Sequence, residues 1–269
     1  MEFVAEISGN HQGKKELALE LIESAAWAGA TAVKFQMFDP KRLAEKRFAN
    51  PAMKREDIQN KWKVNSVEAL TKLYTETRTP TNWFIDLALK AKSCGIDWWA
   101  SVFSAEDAHE LADYGCRTMK ISAFEFNDFN VLIPARYEAE RMILSVPPKT
   151  PDKTIEAVLR TVRGPPVTLL HATGYGEAAD LKELERLKKF GVDIGLSDHT
   201  TDISAAIAAT NMGAKMIEAH LKLEGDDISP DSSFSCTPER FKAMVTLCNE
   251  IEEAKDPVES SELDWPVEH

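Results

Sequence analysis

Strand, helix and strand follow one another in residues 192–220, VDIGLSDHTTDISAAIAATNMGAKMIEAH. His199 directly follows the first predicted strand, and His220 lies at the end of the second. A strand–helix–strand unit makes its two strands parallel neighbours, so both imidazoles project at the same edge of one sheet. Neutral imidazole is the commonest metal ligand, and the pair therefore indicates a metal site. Two hydrogen-bonded core histidines are the alternative, and the matched placement of the two residues favours the metal.

The same unit repeats along the chain. Five helix-like stretches end in a glycine that is followed by an apolar strand, namely at Gly29, Gly95, Gly115, Gly191 and Gly213;. The predicted strands are residues 2–7, 31–36, 97–102, 117–122, 141–146, 166–172, 192–197 and 214–221. The predicted helices are residues 14–28, 81–94, 105–114, 129–139, 152–163, 178–190, 201–212 and 237–254. Eight βα units in 269 residues predict a (β/α)8 TIM barrel;. A doubly wound open sheet is the alternative, but this chain lacks the GxGxxG motif that would be expected after the first strand of that fold.

We expect residues 1–256 to form this single barrel. Residues 37–80 are too long for a simple βα loop and contain Pro40, Pro51 and Pro80. Part of the segment, residues 66–74, has a helical pattern, and on a barrel such a loop lies over the active-site face. Residues 257–269 form an acidic tail that we expect to be poorly ordered;.

The composition excludes several classes of partner. The net charge is −12, which argues against nucleic acid and against anionic membrane surfaces;. There is neither a signal-peptide pattern at the N-terminus nor an apolar run as long as a membrane span;. The four cysteines show no CxxC spacing, which fits a reducing compartment;. We therefore expect a cytoplasmic protein.

Polar residues occupy the ends of most predicted strands, where inward-facing polar groups of a barrel usually belong to a site. They are Glu6, Lys34, Gln36, Ser101, Lys120, Ser122, His171, Thr173, Ser197, His199, Glu218 and His220, with Glu125 just beyond strand four. A buried lysine is costly unless it meets an anion or a carboxylate. Lys34 and Lys120 therefore indicate either an anionic ligand or structural pairing with a glutamate. A metal together with an anion pocket fits carbonyl chemistry on a sugar.

At these residues the chain resembles the sialic acid synthase family. The resemblance lies in AEISGNHQG at residues 5–13, AGA at 28–30 with VKFQ at 33–36, KISAFE at 120–125, GLSDHT at 195–200, IEAH at 217–220 and Pro230-Asp231. Members of that family condense phosphoenolpyruvate with an N-acylated hexosamine.

The resemblance implies roles for individual residues. A divalent ion, Mn²⁺ with Mg²⁺ or Co²⁺ as alternatives, would be held by His199 and His220. Phosphoenolpyruvate would be held by Lys34 and Lys120, assisted by Ser101 and Ser197, while Glu6 and Asp231 would contact the amino sugar. Gln36 and Ser122 complete the expected substrate-binding set. The expected catalytic residues are Glu6, Glu125 and His220. The implied reaction is attack of C3 of phosphoenolpyruvate on the open-chain aldehyde, followed by addition of water at C2 and loss of phosphate.

The chain also departs from the family pattern. Residues 122–125 are Ser-Ala-Phe-Glu where the family usually has Gly-Ser-Gly-Glu, which removes a phosphate-binding hydroxyl and adds a bulky ring. We expect no counterpart of the family's small antifreeze-like C-terminal domain after the eighth helix. We therefore expect either a homodimer or a partner chain that supplies it. Two other functions stay open: a metal-dependent sugar aldolase or isomerase, and a barrel that binds a sugar acid without catalysis.

Overall fold

Eight parallel strands close into a barrel in the order in which they occur along the chain, as the sequence predicts. The computed structural model describes residues 1–49, 64–176, 179–226 and 229–255. The strands are β1 Glu2–Glu6, β2 Ala32–Met37, β3 Asp97–Val102, β4 Thr118–Ile121, β5 Arg141–Val146, β6 Val167–Ala172, β7 Asp193–Asp198 and β8 Met216–His220. The barrel closes where β1 pairs with β8, with Glu6 opposite His220.

Helices surround the barrel and connect its strands. They are α1 Lys15–Trp27, α2 Pro40–Ala49, α3 Val67–Thr77, α4 Phe84–Ser93, α5 Ala105–Asp113, α6 Phe129–Glu138, α7 Asp152–Thr161, α8 Lys182–Lys188, α9 Ser204–Asn211 and α10 Pro238–Lys255. Side-chain caps begin several of them. The hydroxyls of Ser66 and Ser104 accept the backbone N–H groups of Ala69 and Asp107, which satisfies one free donor at the start of α3 and of α5;.

The core lies between the outer faces of the strands and the apolar faces of the helices. Leu21, Ile22 and Ala25 of α1 are fully buried, as the helical spacing of this segment predicts;. Close packing also restricts the strands that carry the histidines. A Cβ on Gly195 of β7 would lie 2.3 Å from the carbonyl oxygen of Met216 in β8, so only glycine fits there;.

The segment between β2 and α4 does not run as a simple loop in its described part. It forms α2 and α3, which pack against each other and against the barrel through two small clusters of buried residues. The helix predicted over residues 66–74 is present as α3. Part of the long segment, at residues 50–63, and the predicted tail at 257–269 lie outside the described residues.

No helix among the described ranges combines the length and the apolar character that a membrane span requires.

Candidate active site

One cavity of about 170 Å³ opens at the carboxyl ends of the strands. All eight strands contribute to it, and where a strand supplies two side chains they are two residues apart, because alternate residues share a face. We call the strand-end residues the floor; they are Glu6, Lys34, Gln36, Ser101, Lys120, Ser122, Ser145, Ala172, Ser197, His199, Glu218 and His220. We call the cavity residues from α2, α3 and the residues beside them the roof; they are Phe38, Leu43, Arg47, Leu73, Tyr74 and Thr77.

Two buried lysines share one glutamate at the centre of the floor. Lys120 Nζ lies 2.7 and 2.8 Å from the two carboxylate oxygens of Glu218. Lys34 Nζ lies 2.6 Å from Glu218 Oε1 and 3.1 Å from Glu6 Oε2. The Ser197 hydroxyl donates a further hydrogen bond of 2.9 Å to Glu218 Oε1. The lysines therefore pair with glutamates, as one of the two interpretations predicts. They also line an open cavity, where an anionic ligand, the other interpretation, could reach them.

Burial and the neighbouring charges shift the pKa values of this cluster in different directions. Burial opposes the charge on Lys34, but the carboxylates of Glu218 and Glu6 outweigh it and raise the pKa of Lys34 above its usual range. For Lys120 the effect of burial, together with repulsion from Lys34, outweighs Glu218 and lowers the pKa to about 7. Burial alone would raise the pKa of Glu218, and the two lysines instead hold it well below its usual range. The carboxylates of the floor therefore stabilise the charged form of Lys120 less than that of Lys34.

The two predicted metal ligands lie side by side. The ring centroids of His199 and His220 are 5.3 Å apart. His199 Nδ1 lies 3.2 Å from the carbonyl oxygen of Thr173, so this nitrogen donates its proton there and leaves Nε2 as the lone-pair donor;. His220 Nδ1 is buried with no hydrogen-bond partner among the described residues, and lies 3.6 Å from Asp231 Oδ2.

These donors fit a divalent ion in part. Two adjacent imidazoles, one oriented through its second nitrogen and one buried without a hydrogen bond, suit a metal that keeps open positions for water or substrate. A set of three His, Cys, Asp or Glu side chains able to hold a metal is absent from the described part of the chain. The two histidines are therefore the side chains that would hold an ion at this place.

Aromatic rings enclose the histidine pair. Phe234 packs edge-on against both rings, with centroids 5.7 Å from His199 and 5.0 Å from His220. The Tyr175 ring lies 4.8 Å from His199 and lines the cavity. Burial lowers the pKa of His199 well below its usual value and that of His220 to about 3, so both rings are neutral and able to bind a metal;.

Glu125 lies behind the cavity wall. Its side chain is fully buried and is not among the residues that line the cavity. Glu125 Oε2 accepts a hydrogen bond of 2.8 Å from Arg47 Nη2 and another from the Ser122 hydroxyl. The predicted catalytic role of Glu125 stays a prediction, and in the structure this carboxylate holds Arg47.

The other predicted site residues meet in one place, except for the two of strand six. Gln36, Ser101, Ser122, Ser197 and Asp231 all line the cavity. The expectation for strand six is wrong, because Ala172 faces the cavity and the adjacent His171 therefore points to the outer side of the strand;. Thr173 does not line the cavity, but its hydroxyl accepts the backbone N–H of His199 at 2.7 Å.

Sequence reasoning missed the polar members of the roof and one aromatic residue. Arg47 and Tyr74 belong to α2 and α3, for which no barrel position is defined. Tyr175 follows β6, and a single tyrosine after a strand carries no signal. The helical spacing of Leu43 and Arg47, four residues apart on one face of α2, was the available signal for the arginine;.

A closed barrel whose strand ends hold a lysine pair, a glutamate and two histidines around one cavity has the architecture of a (β/α)8 barrel enzyme;. The sequence model of the NeuB family matches residues 21–259, and the chain belongs to that family. It is 32% identical over 258 residues to the pseudaminic acid synthase of Campylobacter jejuni, covering 93% of this chain and 74% of that protein. It is 30% identical over 260 residues to the N,N'-diacetyllegionaminic acid synthase of the same species, covering 93% of this chain and 76% of that protein.

The fold has close counterparts among solved structures. The N-acetylneuraminic acid synthetase of Leptospira borgpetersenii, crystallised with citrate, superimposes with a TM-score of 0.82 at 24% identity. The match covers 97% of this chain and 87% of that one. At this identity the likeness shows the barrel fold.

Proposed function

We propose that the chain condenses phosphoenolpyruvate with the open-chain form of an N-acyl hexosamine, or a related aldose, to give a nonulosonic 2-keto sugar acid and phosphate. The observation that carries the proposal is the lysine pair around Glu218, because two buried cations at the open end of a barrel suit an anionic donor;. The relatives support the product class, since they are named as synthases of pseudaminic and legionaminic acids.

The floor would bind the donor and orient it for attack. Lys34 and Lys120, with the hydroxyls of Ser101 and Ser197, would hold an anionic group of phosphoenolpyruvate. This group competes with Glu218 for the lysines. Positioning the two reactants in one small cavity supplies a large part of the rate, because it replaces an encounter in solution with a fixed geometry.

The reaction proceeds in two steps. The electron pair of the C2=C3 double bond of the donor forms a bond between C3 and the aldehyde carbon, and the aldehyde oxygen takes a proton. Water then adds at the electron-poor C2 and loses one proton. The C2–O bond breaks, the new C2 hydroxyl gives its proton to the departing phosphate and becomes the keto oxygen, and phosphate leaves. Glu6, a buried carboxylate of the floor, would accept the proton of that water, and Asp231, which also lines the cavity, would orient a hydroxyl of the sugar;.

His199 and His220 would hold the divalent ion, for which we propose Mn²⁺ with Mg²⁺ and Co²⁺ as alternatives. When bound, the ion supplies Lewis-acid polarisation of the aldehyde oxygen. The hydrogen bond from His199 Nδ1 to Thr173 orients that ring, and the Phe234 ring packed against both imidazoles limits access of water.

Phosphate release from phosphoenolpyruvate tests the proposal. The protein is incubated with Mn²⁺ and with a panel of N-acyl hexosamines and simple aldoses. We expect release that depends on one class of sugar and falls about 100-fold or more in His220→Ala, because two ligands hold the ion. His109→Ala is the matched control, since His109 is exposed and paired with Glu138 outside the cavity.

Other outcomes would select other functions. Sugar cleavage or isomerisation that needs the metal but not phosphoenolpyruvate would indicate an aldolase or isomerase. Binding of phosphoenolpyruvate without turnover of any sugar would indicate a barrel that binds without catalysis. Equal Mn²⁺ content after dialysis in His199→Ala, His109→Ala and the parent protein would contradict the metal assignment.

A further inference from the structure

We propose that Arg47 binds the phosphate group of the donor, with Glu125 as the residue that positions it; this inference rests on the proposed function. The donor carries two anionic groups, a carboxylate and a phosphate. The floor offers one cationic centre, made of Lys34 and Lys120. A second cation at the right spacing lets one small molecule be held at both ends.

Arg47 lines the same cavity as the lysine pair. Its Nη2 atom donates a hydrogen bond of 3.3 Å to the hydroxyl of Ser122. Ser122 is two residues beyond Lys120 on the same face, and two residues of a strand span about 6.6 Å;. The guanidinium is therefore anchored to the cavity-lining residue that follows Lys120 on the same face. A donor with one anionic group on the lysines extends its other group toward Arg47.

The guanidinium is held rigidly in place. Arg47 is 7% exposed. Its Nη2 also donates to Glu125 Oε2 at 2.8 Å, and its Cζ lies 4.1 Å from the centre of the Phe124 ring. A guanidinium stacked on a ring and tied to a carboxylate has lost its rotational freedom before any ligand binds. Fixed arginines bind phosphate through planar, paired N–H groups, which a lysine cannot reproduce.

The charges are arranged so that the cation faces the cavity. Glu125, which pairs with Arg47, and Asp128, which pairs with the neighbouring Lys46 at 2.6 Å, are both absent from the residues that line the cavity. Arg47 itself lines it. An incoming anion therefore meets the guanidinium, while the carboxylate that positions it stays behind the wall.

This arrangement also accounts for the unusual turn after β4. Residues 122–125, Ser-Ala-Phe-Glu, lack a hydroxyl that the resemblance leads one to expect for phosphate binding. The same turn supplies three groups that hold Arg47: the Ser122 hydroxyl, the Phe124 ring and the Glu125 carboxylate. The arginine replaces the lost hydroxyl with a stronger, charged donor.

Calorimetric titration with phosphoenolpyruvate and with inorganic phosphate tests the inference. We expect Arg47→Gln to weaken binding of both by about tenfold or more, the equivalent of one charge-assisted hydrogen bond. Arg47→Lys should lose less, because it keeps the charge. Arg42→Gln is the matched control: Arg42 belongs to the same helix and pairs with Glu106, but it does not line the cavity.

Steady-state kinetics separate binding from a merely structural role. Arg47→Gln and, to a smaller degree, Glu125→Gln should raise KM for phosphoenolpyruvate and leave KM for the sugar unchanged. Unchanged donor binding in Arg47→Gln, or an increase confined to the KM of the sugar, overturns the inference. The inference is also overturned if Arg47→Lys and Arg42→Gln weaken phosphate binding to the same extent and lower the thermal stability to the same extent.

The two proposals fail in different ways. Phosphate binding that depends on Arg47, without sugar-dependent phosphate release, supports the anion site and contradicts the synthase function. Sugar-dependent release that is unaffected in Arg47→Gln supports the function and contradicts the role of Arg47. A parent protein that binds neither phosphoenolpyruvate nor inorganic phosphate contradicts both.

Discussion

The floor and the roof of the cavity are built by different rules. Every floor residue lies at or just beyond the end of a barrel strand, and strand alternation determines which side chains face inward;. The roof residues come from two helices and from Phe38 just before the first of them, where no strand register applies, and they are held by small hydrophobic clusters such as that of Phe38, Leu43 and Phe103. The floor is therefore the rigid, chemically defined half, and the roof is the half that can vary without disturbing the barrel.

Removing the shared glutamate of the floor should have the largest effect. Glu218→Ala leaves Lys34 and Lys120 buried without their common partner, which should lower the free energy of unfolding by about 3–5 kcal/mol;. Urea unfolding measures the loss. Glu106→Ala is the control, because its pair with Arg42 is exposed and should change stability by less than about 1 kcal/mol;. Similar stabilities for the two variants would show that the floor does not depend on this ion cluster.

Trimming the roof should have an intermediate effect of a different kind. Leu43→Ala removes a side chain that is 4% exposed and touches both the cavity and the small cluster beneath α2. We expect a loss of about 2 kcal/mol, at the low end for a buried leucine because this cluster is small, together with a raised KM and a nearly unchanged kcat. A fall in kcat with unchanged KM would instead place Leu43 in the chemical step.

Acid should weaken the contact between the loop after β1 and the residues that follow α3, with the smallest effect. His11, in the loop after β1, accepts the backbone N–H of Gly13 on Nδ1 and lies 3.1 Å from the hydroxyl of Thr79, which follows α3. Burial lowers the pKa of His11 to about 4, so the unfolded chain, with its ordinary value near 6.5, binds the proton first;. The contribution of His11 to the free energy of unfolding is therefore complete above pH about 6.5, and it is lost as the pH falls toward about 4.

Unfolding of the parent protein and of His11→Asn between pH 7 and pH 4 measures this effect. The asparagine can accept the Gly13 N–H and does not titrate, so its stability should depend less on pH. If the free energy of unfolding depends on pH in the same way in both proteins, protonation of His11 does not weaken the contact with Thr79.

The sequence was sufficient for the barrel and for most of the floor. Apolar strand patterns, five of them preceded by a glycine-terminated helix, predicted all eight strands to within about two residues, because the glycine and the strand together mark the βα unit directly;. The histidine pair and the lysines followed from their register at the strand ends. His171 was wrongly assigned, since its neighbour Ala172 takes the inward position and a buried strand shows no polar alternation that would reveal the phase;.

The roof and the network around Glu125 were beyond such reasoning. Arg47 reaches Glu125 across 78 positions of the chain, and a contact of that separation leaves no local pattern. Glu125 itself was correctly located after β4, but its side chain turns behind the wall toward the arginine. Only the packed arrangement of α2 against the barrel distinguishes a carboxylate that faces the substrate from one that holds a cation.

The pairing of Glu218 with two lysines means that the empty cavity already contains its own anion. Folding then does not depend on the presence of any ligand, because Glu218 and Glu6 pair with the buried lysines as β8 joins β1 and completes the barrel. Any anion that enters must take the place of a carboxylate. Binding is consequently an exchange, whose strength is the difference between two sets of ion pairs, and the same carboxylate is at hand to displace an anionic product when the cavity has to be emptied.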